Sequence, residues 1–121
     1  ILEMPEDTKV LVLEMAMRGL GQIRLLTKTA EPNIAIITNT GHTHIGILGS
    51  HEKIIEAKAE ILEGLQSDGL AILNNYEKLL NHSKLLWKGK QKTFDFNQIT
   101  NFSFNSGKST FELDKKNYSI N

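Results

Sequence analysis

N-I-A-I-I-T, Asn33 to Thr38, is a short apolar run that opens directly onto N-T-G-H-T-H-I-G-I-L-G, Asn39 to Gly49. Such a run, bounded by turn-forming residues, reads as a strand buried on both faces, as in a parallel sheet. The loop after it then leaves the carboxyl end of the strand, where open parallel sheets place their ligands. Downstream, Ser50 is placed to cap a helix from about His51 to Leu65, with Glu52 in its first turn and Gly64 near its end. The Asp68-Gly69 turn signal leads to another strand, Leu70 to Leu73. Upstream, Ile23, Leu25, Leu26 and Ala30 suggest a helix that ends before Pro32, preceded by the glycine-punctuated stretch Arg18 to Gly21. Before that, K-V-L-V-L-E, Lys9 to Glu14, reads as a further buried strand. Strand, helix, strand, helix, strand predicts right-handed βαβ units and an α/β fold with a mostly parallel sheet.

Beyond Asn74 the texture changes. Tyr76 to Leu80 is expected to form a short helix and Leu85 to Trp87 a short strand. From Lys88 onward the spacing predicts short strands at Thr93 to Phe96, Phe102 to Phe104, Thr110 to Leu113 and Tyr118 to Ile120. Turn signals at Asn105-Ser106-Gly107 and Asp114 to Asn117 separate the last of these, so residues 88–121 read as an antiparallel extension of the α/β unit at 1–87.

The 121 residues match the size of one domain with a modest core. Fourteen basic and fourteen acidic side chains cancel, which gives no electrostatic reason to expect nucleic acid or an anionic membrane as partner. There are no cysteines, which excludes disulfides and thiolate metal sites and fits a reducing, cytoplasmic compartment. The longest apolar runs are far shorter than the roughly 20 residues of a membrane helix. The sequence starts at Ile1 without a signal-like segment, which leads us to expect a fragment of a longer protein.

Three residues stand out chemically. Glu14 closes the Lys9 to Glu14 run, and is either a solvated strand-end carboxylate or a ligand for a hard cation such as Mg²⁺ beside substrate phosphates. In the loop, His44 precedes Ile45, Ile47 and Leu48, so it is the histidine expected to point inward, as a ligand or as a side chain satisfied by a backbone carbonyl. Lys58 falls near the centre of the stripe Ile54, Ile55, Ile61, Leu62 and Leu65. It either snorkels to water, or is held with a lowered pKa, partly neutral and nucleophilic. A neutral lysine takes up carbon dioxide as a carbamate, which turns a cation into an oxygen ligand. His51, His82, Glu52, Lys53, Glu56, Glu60 and Glu63 read as solvated helix face or loop, and Trp87 and the C-terminal phenylalanines as core. Gly107-Lys108-Ser109 is rejected as a phosphate loop, because the upstream glycine and the following helix are missing.

V-L-V-L-E-M-A-M-R-G-L-G-Q-I (Val10 to Ile23), I-I-T-N-T-G-H-T-H-I-G-I-L-G-S (Ile36 to Ser50) and I-I-E-A-K-A-E-I-L-E-G-L (Ile54 to Leu65) follow one another with the gaps of a known family. From Leu2 to about Asn74 the chain resembles the central, ATP-binding domain of the Mur ligases, in the branch that adds D-alanyl-D-alanine to a UDP-N-acetylmuramoyl peptide. The resemblance implies a P-loop-NTPase-like domain, here incomplete, and ATP with two Mg²⁺ ions as cofactors. It implies that Glu14 holds the Mg²⁺ shared with the ATP phosphates, and that His44 and carbamylated Lys58 hold a second. Asn39 would position the loop, and Arg18 would face the substrate. The implied reaction phosphorylates the muramoyl peptide's carboxylate with ATP. The amine of D-Ala-D-Ala then attacks the acyl phosphate to form the amide, and cations offset the repulsion among the oxygens.

This sequence departs from the pattern at Ala16, where the family has glycine, at Thr43, where alanine or aspartate precedes the histidine, and at Asn75-Tyr76-Glu77, where only the preceding Asn74 is kept. The phosphate loop G-x-x-x-x-G-K-[ST], the downstream adenine-side motif and the C-terminal domain are not in this stretch. Residues 1–121 are therefore expected to be inactive alone and to need the missing N- and C-terminal parts of the protein. Two other readings stay open: a folylpolyglutamate-synthase-like ligase, and a degenerate remnant or binding module of the same fold.

Overall fold

The structure, a computed structural model, describes residues 4–41 and 45–120, the side chain of Ile45 excepted. Helix α1, Gln22–Ala30, buries Ile23 and Thr27, one turn apart. It stops where Glu31 turns left-handed (φ 44°) and donates its N–H to the Thr27 carbonyl at 2.8 Å, just ahead of Pro32. Strand β1, Ile34–Ile37, follows. After the short helix α2, Ile45–Leu48, helix α3 runs from His51 to Ala59 and tightens into a 3₁₀ turn, Glu60–Gly64. Ser50 is its extended N-cap, and its Oγ accepts the Lys53 N–H at 3.2 Å, as the sequence predicts.

Strand β2, Leu70–Asn74, lies parallel to β1 with Ile34 opposite Leu70 and Ile37 opposite Leu73. Helix α4, Glu77–Leu86, leads to strand β3, Lys90–Phe94, which pairs parallel to β2. The sheet order is β1-β2-β3. Helix α3 and its 3₁₀ extension sit between two apolar clusters. Ile55 and Leu62 face the sheet residues Ala35, Ile37, Ala71 and Leu73 together with Leu79 of α4, whereas Ile54 and Ala57 face Met17, Ile23 and Leu48. The second sheet is antiparallel, formed by β4 (Ile99–Asn105), β5 (Lys108–Leu113) and β6 (Lys116–Ile120). Its two tight turns place Ser106, Gly107, Asp114 and Lys115 at positive φ, the geometry that joins twisted antiparallel strands through two residues. An α/β fold with a parallel sheet, flanking helices and a small antiparallel sheet is therefore observed.

Several local expectations are corrected. Lys9 to Glu14 is not a strand: it pairs with no strand among the described residues, and Val10 and Val12 are 78% and 87% exposed. The backbone groups of a strand must be paired from outside the segment, and among the described residues no strand pairs them. For the same reason β1 is an edge strand with only one face buried, Ala35 and Ile37 inside and Ile34 and Ile36 exposed. Leu85 to Trp87 ends helix α4 instead of forming a strand, because Leu79 and Ser83 share a buried face and the Trp87 N–H closes the last turn on the Ser83 carbonyl at 2.9 Å. The segment at Thr93 starts earlier, at Lys90, and belongs to the parallel sheet, so antiparallel pairing begins only at Ile99. Phe96, Phe102 and Phe104 are exposed instead of core, whereas Trp87 packs on the main cluster.

Candidate functional site

Lys58 is the sequence-selected residue most clearly defined by the structure. Ile54, Ile55 and Ala57 near it are buried, and the Lys58 side chain itself is half-buried. Its Nζ donates to the Asn39 carbonyl at 2.8 Å, which brings the amine to the loop at the carboxyl end of β1. Burial lowers the pKa of this amine below the ordinary lysine value, since an ammonium loses more hydration than a neutral amine does. Among the described residues no carboxylate is paired with it, so the site favours the neutral form more than an exposed lysine would.

The surrounding backbone is fixed by a residue of the second strand. Asn74 at the end of β2 donates its Nδ2 to the Thr38 carbonyl at 2.9 Å, tying the ends of the two strands together one residue before the carbonyl that Lys58 uses. The next side chain, Thr40, is buried. Asn39, Lys58 and Asn74 therefore meet at one edge of the sheet.

The other candidates are not all brought to this edge. Glu14 is exposed in an irregular segment, since the strand expected to carry it is not formed. Arg18 is exposed in the turn before α1, with its backbone N–H donating to Gln22 Oε1 at 2.7 Å. His44, with His42 and Thr43, lies outside the described residues. Among the described residues no three of His, Cys, Asp and Glu converge as a ready-made metal cage. Gly107-Lys108-Ser109 is the turn and first residues of a hairpin, consistent with its rejection as a phosphate loop.

Glu60 was missed. It reads as part of a solvated acidic face, yet it is 1% exposed. Its two oxygens accept the backbone N–H groups of Gly21 (2.6 Å) and Arg24 (3.1 Å), with the Arg24 guanidinium 3.4 Å away. Glu63, half-buried, takes a two-pronged bond from the same guanidinium at 2.7 and 2.9 Å, which raises the Arg24 pKa. The signal was in the sequence of α1: glycine at the N-cap and no acid in the first turn leave the helix without an acceptor of its own. His51 also departs from a solvated reading; it is half-buried, with its ring 5.7 Å from that of Tyr76.

Residues 1–121 match the Mur ligase middle domain family. The UDP-N-acetylmuramoyl-tripeptide–D-alanyl-D-alanine ligase of Bacillus subtilis is 48% identical over 83 residues, which are 69% of this chain and 18% of that enzyme. The enzyme of the same name from a Synechocystis strain is 45% identical over 95 residues, 78% of this chain and 21% of its own. In three dimensions the chain is similar to the MurF ligase of Thermotoga maritima, solved in complex with ADP. The TM-score is 0.74 at 25% identity, over 94% of this chain and 29% of that one. The chain thus spans less than a third of the length of each of these relatives.

Proposed function

From the premise that this chain belongs to the Mur ligase middle domain family, we propose that it supplies part of the ATP and metal site of a ligase that joins D-alanyl-D-alanine to a UDP-N-acetylmuramoyl tripeptide. The substrate assignment rests on the names of relatives at 45% and 48% identity. The observation that carries the site is Lys58: a half-buried amine with a lowered pKa, held by the Asn39 carbonyl at the ligand-binding edge of a parallel sheet.

The neutral Lys58 amine attacks carbon dioxide; an N–C bond forms, one proton leaves to solvent, and the side chain ends in a carbamate. The fit to magnesium is one of donor type, since carbamate and carboxylate oxygens are what hard cations take. Glu14, His44 and carbamylated Lys58 would hold the ions, whose contribution is to neutralise the oxygens that crowd together as a phosphoryl group moves to a carboxylate. Asn39, whose carbonyl accepts the Lys58 Nζ, would position the loop, and Arg18 would face the peptide substrate. The ATP-dependent, water-soluble substrates fit a cytoplasmic setting, and no helix among the described residues is long and apolar enough to cross a membrane.

The test uses the full-length ligase that contains this chain. Phosphate release from ATP should require both the UDP-muramoyl tripeptide and D-Ala-D-Ala, and release indifferent to the dipeptide refutes the substrate assignment. With ¹³C-bicarbonate, the enzyme should show a carbamate resonance that Lys58→Ala lacks. An unmodified Lys58 in the active enzyme refutes the carbamate.

A further inference from the structure

The structure leaves Glu14 without the strand that was expected to carry it, yet the segment joining it to Arg18 is anchored. Met17 between them is 6% exposed and packs with Ile54 and Ala57 of α3. Gly21, at the end of the same segment, takes a left-handed conformation (φ 85°) as the N-cap of α1 and contributes no side chain to cap it. Its N–H donates to Glu60, directly after the last residue of α3, and so does the N–H of Arg24 one turn on. Helix α1 has no acid in its first turn, so the carboxylate that satisfies its positive end comes from 36 and 39 residues away.

Lys58 and Glu60 are two residues apart and point to different tasks. Lys58 reaches the edge of the sheet, whereas Glu60 reaches back to the start of α1. We propose that Glu60 is a positioning residue: by clamping the N-terminus of α1 to the end of α3, it sets the segment carrying Glu14 and Arg18 against the helix that carries Lys58. The inference rests on the site assignment made above. A buried carboxylate with two backbone donors admits one arrangement of those donors, and the flanking apolar contact through Met17 leaves the intervening residues little freedom. Precise placement of separate groups is what ligation of two substrates demands, since small displacements at a reacting centre cost rate steeply.

The decisive variant is Glu60→Gln in the full-length ligase. It keeps shape and volume, but sets an amide NH₂ against one of the two N–H donors. Hydrogen–deuterium exchange read by mass spectrometry should show the peptide spanning Met15 to Arg24 exchanging roughly tenfold faster, the equivalent of one lost hydrogen bond of this kind. The peptide spanning Leu70 to Leu79 should be unchanged. At a temperature where both proteins are folded, the KM for the UDP-muramoyl tripeptide should rise about tenfold, with a smaller change in kcat. Should Glu60→Gln not fold, Glu60→Asp retains the charge but shortens the reach by one methylene, and the same selective loss is expected. Exchange that quickens equally in both peptides makes Glu60 a general stabiliser and overturns the proposal. So does selective exchange with unaltered kinetics. If the parent ligase shows no dipeptide-dependent phosphate release, the functional reading fails, while the exchange pattern still decides whether Glu60 holds the segment.

Discussion

Replacing Gly64 by alanine sets two physical effects against each other with opposite signs. Gly64 ends the 3₁₀ turn after α3, and a Cβ built there would lie 2.4 Å from the carbonyl carbon of Thr27, 2.5 Å from its oxygen and 2.7 Å from the Lys28 nitrogen. All three are backbone atoms of α1, so no side-chain rotation relieves the overlap. Helix propensity alone favours alanine by about 0.8–1 kcal/mol. Forcing a methyl into a packed contact costs about 1–3 kcal/mol. Moving α1 away also breaks the 2.8 Å bond from Thr27 Oγ1 to the Ile61 carbonyl. Thr27 is fully buried, so its unpaired hydroxyl costs about another 1–3 kcal/mol. The balance is a destabilisation of about 3 kcal/mol. With a urea dependence of about 1.5 kcal/mol per M, the unfolding midpoint followed by far-ultraviolet circular dichroism should fall by roughly 2 M. A midpoint equal to or above that of the parent would refute the reasoning, because it would mean that α1 and the 3₁₀ turn do not meet backbone to backbone.

Lys58→Met should raise the urea midpoint most at neutral pH, and the gain should shrink as pH climbs through the lowered folded-state pKa toward the ordinary lysine range. In that window the unfolded chain binds more protons than the folded one, so the parent gains stability as pH rises; a gap that does not change with pH removes the claim of a desolvated amine. Ser50→Ala removes the acceptor for the Lys53 N–H and should cost about 1 kcal/mol in the same assay, and an effect below a few tenths would show that the cap is idle.

What could be read from the sequence depended on whether a segment carries its own determinants. Helix α3 and the 3₁₀ turn after it were legible because Ser50 caps the helix and the spacing of Ile54, Ile55, Leu62 and Leu65 marks the buried side of the whole segment. Strands β1 and β2 were legible because each is an apolar run bounded by turn signals, and each finds its partner among the described residues, Ile34 opposite Leu70. Lys9 to Glu14 contains an apolar run like that of β1, but an apolar run cannot supply a neighbour, and Val10 to Leu13 stay exposed without one. Leu85 to Trp87 went wrong for the converse reason: three apolar residues resemble a strand until Leu79 and Ser83 show that the helix face continues. The C-terminal strands were located by their turns, while the burial of their phenylalanines depends on what covers the sheet, which strand spacing does not encode.

The half-buried Lys58 at the end of α3 and the buried Glu60 that follows it show which part of a site a sequence hides. Both sit among apolar residues, and only the lysine drew attention, because it lies on the stripe that defines the core. Glu60 escaped because its partners are backbone N–H groups, and no side chain in the sequence announces them. Their degree of compensation separates their roles. Glu60 accepts two N–H bonds beside a guanidinium, so its burial is offset and the group is fixed. Lys58 has three donor positions, and among the described residues one protein acceptor, the Asn39 carbonyl. Partial burial lowers the pKa of this amine, and a lowered pKa is one condition under which an amine reacts. The satisfied charge is therefore the one that holds the architecture, and the unsatisfied one is where chemistry is to be sought.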